Sequence, residues 1–152
     1  MNLKNLNLLI KRLKYLRNTE ESKRFNMRYF GTEKITKNDK KIDNSIFSVP
    51  VCHTQACLAG ETVLLTGSGK IKPKGGIKLL TDESNIFGVA TRDLDLTINQ
   101  AERLFYFKEW NDGINGWPAE YEKMYLKAKT PTERLNVAIK RMKCFIKTKG
   151  RC

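Results

Sequence analysis

The chain has 152 residues, 30% of them charged, and 29 Lys and Arg against 16 Asp and Glu give a net charge of +13. That length suits one domain with a buried core, and without an apolar run of ~18 residues no membrane-spanning helix is expected. The start, MNLKNLNLLIKRLKYL, is interrupted too often by Lys and Arg to be the apolar stretch of a signal peptide, so a cytoplasmic protein with reduced thiols is the expectation.

The charge is uneven: +8 over residues 1–41, −1 over 42–107 and +6 over 108–152. Two basic ends around a neutral centre can attract a polyanion, although a lysine-rich composition alone gives the same balance. Leu3, Leu6, Leu9, Ile10, Leu13 and Leu16 recur at three- and four-residue steps, which predicts an amphipathic first helix. Lys4, Lys11, Lys14 and Arg17 fall mainly on its other side, either as a solvated face over a core stripe or as a nucleic-acid surface.

Residues 18–44 read as a polar, basic insertion or loop. There Phe25, Tyr29 and Phe30 alternate with Lys23, Arg24 and Arg28, a pattern that can stack bases and hold phosphates. The plainer reading is that the rings tuck a long loop onto the core. Ile46, Phe47 and Val49 bring the chain back inside, and Pro50 sets an extended entry to the next helix.

The stretch 51–67, VCHTQACLAGETVLLTG, is the longest low-charge run, with Glu61 its single charged side chain. Thr54 is a good N-cap, and Ala56, Leu58, Ala59, Val63, Leu64 and Leu65 cover almost the whole circumference of a helix. A helix apolar nearly all round belongs in the middle of a domain, so a central helix is predicted over about 54–66. Gly60 within it suggests close approach by another backbone, and Gly67 supplies a left-handed end.

Cys52, His53 and Cys57 are the candidates for chemistry. Capped at Thr54, the helix would carry Cys57 at its third position, where the dipole favours a thiolate. A zinc site would need four ligands, with Cys144 or Cys152 completing the set, and the spacing does not favour it. A redox pair or nucleophile lacks a second histidine or an acid to complete a triad. Small thiols packing a crowded helix start is the plainest account. No metal or cofactor is expected, and no catalytic residue is assigned beyond these thiol candidates.

GSGKIKPKGG, over 67–76, is not a phosphate loop: Leu64 stands where its first glycine belongs, and Ile71 where Ser or Thr belongs. It reads as part of a flexible surface loop at about 67–80. Asp82 to Ser84 can start a short helical turn carrying Ile86, Phe87, Val89 and Ala90. Thr97 and Gln100 form a capping box for the next helix, buried through Ile98, Ala101, Leu104 and Phe105 and broken around Asn111, Asp112, Gly113 and Gly116.

Trp117-Pro118 opens a further helix with proline at its first position, and Tyr121, Met124, Tyr125 and Ala128 keep one face. Trp110, Trp117 and the tyrosines read as core rather than as a pocket. The last helix, near 131–148, starts with a Thr130–Glu133 capping box and Pro131, buries Leu135, Ala138, Ile139, Met142, Phe145 and Ile146, and ends at Gly150. Lys140, Arg141, Lys143, Cys144 and Lys147 are placed on its wet side, so Cys144 and Cys152 are expected to be exposed.

CHTQACLAGETVLL, then DLTINQAERLF, then a Trp-Pro opening a Tyr-containing helix, then PTERLNVAIKRMKCFI, together resemble a group of small bacterial proteins, notably from cyanobacteria, and of phage proteins. The resemblance covers roughly 45–150 and implies a compact helical fold and no particular activity. This chain carries His53 where the group has glycine, and its basic 18–44 segment is an addition.

The expected architecture is a single all-α domain of five or six helices packed around the central one. The expected function is non-catalytic binding of nucleic acid or another polyanion through Lys4, Lys11, Lys14, Arg17, Lys140, Arg141, Lys143 and Lys147. The alternatives are a protein-interaction module, of phage or mobile-element origin and acting on a host protein, and a thiol-dependent enzyme or redox switch at Cys52 and Cys57.

Overall fold

A computed structural model describes residues 1–27, 57–71, 77–83, 85–108 and 115–152. The expectations for Cys52, His53, Thr54, Tyr29, Phe30 and Trp110, and for the insertion beyond residue 27, lie outside them. Among the described residues there are six α-helices and one two-stranded sheet, an all-α architecture as the periodicity predicts. None of these helices is long and apolar enough to cross a membrane.

The leucine stripe of the first segment forms α1, Leu3–Arg17, with the Asn2 side chain accepting from the Asn5 N–H. Leu6, Leu9, Ile10, Leu13 and Leu16 are buried, whereas Leu3 is 49% exposed. A 3-10 turn over Glu20–Arg24 comes next, and Phe25 and Met27 beyond it are buried. Phe25 meets the Tyr125 ring edge-on, so this part of the basic segment is pinned to the core rather than offered to a ligand.

The central helix α2 is shorter than predicted, running over Leu58–Leu65. Cys57 has extended backbone angles and is itself the N-cap, so it is not at the third helical position. The low charge does mark the middle of the fold: Leu58 to Val63 are all buried, Glu61 included. Gly67 takes φ +79°, the left-handed conformation expected beyond the helix end.

The loop expected at 67–80 contains a hairpin. Strands β1, Gly69–Ile71, and β2, Ile77–Leu79, pair antiparallel with Lys70 opposite Lys78. The alternation of Ile and Lys is the period-2 signal of a half-buried strand; the surrounding Gly and Pro obscured it. A Cβ on Gly69 would lie 2.9 Å from Ile77 Cγ2 and 3.2 Å from Val63 Cγ2, so glycine lets the hairpin close onto α2.

Helix α3, Ile86–Asp93, starts later than predicted, capped by Asn85, whose Oδ1 accepts from the Gly88 N–H at 2.6 Å. Helix α4, Ile98–Phe105, has the predicted Thr97–Gln100 capping box, although Ile98 is 59% exposed rather than buried. Helix α5 is Ala119–Lys127; Pro118 is its N-cap, one position earlier than expected, because its ψ of 138° is extended. Helix α6, Pro131–Lys147, has the predicted Thr130–Glu133 box and proline start.

The aromatic residues close on one another. Phe107 meets Trp117 at 5.1 Å and Tyr125 at 5.4 Å between ring centroids, all edge-on. The polar tips are satisfied inside: Trp117 Nε1 donates to Leu104 O at 2.8 Å, and Tyr125 Oη accepts from the Met27 N–H at 2.7 Å. α1 packs along α6 and also meets α2, which brings the two basic ends of the sequence together.

Candidate nucleic-acid interface

Helix α1 contains no Asp or Glu, and α6 contains only Glu133, in its first turn. At ~100° per residue, Lys4, Lys11 and Lys14 share one sector of α1, and Lys140, Lys143 and Lys147 share one sector of α6 together with Asn136. All six lysines are exposed. Among the described residues none of them is in an ion pair, so they are not the charge-laced face of an ordinary surface helix.

The helices that carry the two sectors pack against each other. Arg17, at the end of α1, donates from Nη1 to Asn136 Oδ1 near the start of α6, at 3.2 Å. At the opposite end, the Asn2 N–H donates to Leu94 O, and Gln100 Nε2 on the adjoining α4 donates to Lys149 O just past α6. The helices therefore run in opposite directions. Arg17 and Asn136 mark one point of contact between them. Asn136 carries no charge to mark it in the sequence; its one signal is that it lies in the lysine sector.

Glu133 subtracts one charge at the start of α6 and is committed to the cap. Its carboxylate accepts from the Thr130 and Lys129 N–H groups, which hold its pKa below the usual carboxylate range. On the far side of α1, Arg12 Nε donates to the buried Glu61 carboxylate at 3.0 Å while its guanidinium lies over the Tyr15 ring. Arg12 is thereby turned away from the seam.

Arg141 is a correction. It lies on the wet side by its charge, but only ~40° from Phe145 on the helix, and it is wholly buried. Its Nη2 donates to Arg103 O and Cys152 O, each at 2.6 Å, and its guanidinium lies over the rings of Tyr121 and Phe145. Burial, against a small raising influence of Tyr121, lowers its pKa to about 10, so it stays charged at neutral pH. It cannot reach a nucleic acid, and the candidate set becomes Lys4, Lys11, Lys14, Arg17, Lys140, Lys143 and Lys147.

The thiols also differ from expectation. Cys57 is completely buried at the start of α2. Nearby, burial first and then the charges of Glu102 and Cys57 push the Tyr106 hydroxyl pKa up. Cys144 and Cys152, expected as exposed thiols, are half-buried and joined as a disulfide, with Cα atoms 6.7 Å apart. Lying half a turn from the apolar stripe puts Cys144 beside the returning residues 148–152 rather than in open water. No protein-family model matches the chain, and neither a curated protein nor a solved structure matches it significantly.

Proposed function

We propose that the protein is a non-catalytic nucleic-acid-binding protein of the cytoplasm that takes the phosphate backbone along the seam between α1 and α6. The observation that carries this reading is a lysine sector on each of two helices that pack together, with no carboxylate on either helix except the capping Glu133. Six ammonium groups without partners on their own helices exchange condensed counterions for phosphates, and that release is the main source of sequence-independent affinity.

Fluorescence anisotropy of a labelled duplex and a labelled single strand at low salt tests it. Binding in the micromolar range is expected. Replacing Lys140, Lys143 and Lys147 together by Gln, or Lys4, Lys11 and Lys14 together, weakens it at least tenfold with the helical spectrum unchanged. Absence of binding tighter than ~100 μM, the weak end of non-specific association, overturns the reading.

A protein-interaction module is the second reading, favoured by the large apolar side chains that α1 leaves open. Leu8 is 37% and Tyr15 is 53% exposed. Nuclease-resistant, salt-tolerant capture of a single host protein, lost on replacing Leu8 and Tyr15, would put that reading in front.

A further inference from the structure

We propose that Cys144 and Cys152 form a redox-active pair that exchanges with an anionic low-molecular-weight disulfide of the glutathione class, with Cys152 as the attacking sulfur and Cys144 as the resolving one. The inference does not rest on nucleic-acid binding. The two Cα atoms are 6.7 Å apart, within the ~4.4–6.8 Å span that a disulfide bridges. Arg141 Nη1 lies 3.4 Å from Cys152 Sγ.

That guanidinium is the unusual feature. It is wholly buried, its Nε has no hydrogen-bond partner, and among the described residues no Asp or Glu side chain pairs with it. The guanidinium touches Arg103 O, Cys152 O, two rings and, through Nη1, the Cys152 sulfur, and a buried cation against a thiol favours the anion that can form there. When the pair is reduced, the Cys152 thiolate is that anion. The charged side chains that line the adjoining cavity are all cations. Lys147, Lys149 and Arg151 line the adjoining cavity with Thr148 and Cys152, and Arg103 Nη1 donates to Arg151 O and Gly150 O. The carbonyl end of α6 opposes a thiolate with roughly half a charge, against which the Arg141 guanidinium at 3.4 Å acts directly.

The cavity supplies access and selectivity. It holds about 490 Å³ and is open to solvent, and Cys152 lines it while Cys144 does not. A small disulfide bearing carboxylates is drawn in by the basic rim and meets Cys152 first. Cys152 itself is held in place by its N–H donating to Thr148 Oγ1 at 3.1 Å.

The Cys152 thiolate attacks one sulfur of the incoming disulfide, forming a mixed disulfide and releasing one small thiolate, which takes up a proton. The Cys144 thiol loses its proton and attacks the Cys152 sulfur, closing the intramolecular disulfide and releasing the second small thiol. One disulfide is reduced and one is formed, so electrons and atoms balance. The reverse sequence opens the pair.

The test uses the full chain, reduced and then exposed to glutathione disulfide, with each cysteine followed by peptide-resolved alkylation and mass. The intramolecular disulfide is expected to form, and Cys144→Ser is expected to trap glutathione on Cys152 alone. The rate of the first step is expected to titrate at least one pH unit below the ~8.5 of an ordinary cysteine. Cystamine, a cationic disulfide, is expected to react at least tenfold more slowly. The wild-type rate of disulfide formation gives the same midpoint, so the reading does not depend on the variant folding. A pair that stays reduced in excess glutathione disulfide, a midpoint at or above ~8.5, or equal rates with cystamine overturns the proposal.

Discussion

Arg141 and Lys140 are adjacent in sequence and have opposite fates. Lys140 points into solvent, while the Arg141 guanidinium is held between two carbonyl oxygens and two aromatic rings. Lys140→Gln is therefore expected to leave thermal stability unchanged. Arg141→Gln strands Arg103 O and Cys152 O and should cost at least about 2 kcal/mol, the scale of a hydrogen bond to a charged group. Denaturant melts of the two variants side by side decide this. Glu133 gives a pH signature of its own. Its carboxyl pKa is depressed in the fold by the Thr130 and Lys129 N–H groups, so its contribution is present above the unfolded-state value of 4.5 and is lost as pH falls through the folded value. The difference in melting temperature between the wild type and Glu133→Gln should accordingly be clear at pH 6 and shrink as pH falls below 4.5.

At the scale of elements, the most local signals were the most legible. Both capping boxes, at Thr97 and Thr130, form where the four-residue patterns place them, because the whole motif lies within one turn. Thr130→Ala is expected to cost about 1 kcal/mol, as for other lost N-caps. The start of α2 at Leu58 was not legible, because its N-cap Cys57 is a poor capping residue and gives no signal in the sequence. The hairpin at Gly69–Ile71 and Ile77–Leu79 escaped because its strands are three residues long and its alternation is surrounded by Gly, Pro and Lys. The burial of Arg141 could not be read from charge, since it depends on Tyr121 and Cys152 arriving from elsewhere in the chain. For α2 itself, Leu58→Ala is expected to cost roughly 2–5 kcal/mol. Gly60 lies in the same wholly buried stretch, and Gly60→Leu should add an overpacking cost of about 1–3 kcal/mol. An unchanged melting temperature for Gly60→Leu would mean that this helix is not at the centre.

At the scale of the molecule, the two basic blocks of the sequence come together because α1 and α6 pack against each other, and the proposed binding then makes a quantitative demand. If phosphates contact the six exposed lysines and nothing else, the slope of log affinity against log salt is bounded near −5 for duplex, at ~0.9 per phosphate neutralised. Removing Lys4, Lys11 and Lys14 should lower the slope by at most about 3, and removing Lys140, Lys143 and Lys147 by a similar amount. The combined variant should lose nearly all of the salt dependence. A single continuous ligand further requires that each triple variant weaken binding by itself, because neither helix alone spans the seam. Two independent ligands would instead give one variant with unchanged affinity for a given probe. Measuring the slope for the wild type, both triple variants and the sixfold variant on one duplex separates these cases. A wild-type slope that survives removal of all six lysines would move the interface off α1 and α6, with the exposed Lys70 and Lys78 of the hairpin the next cations to replace.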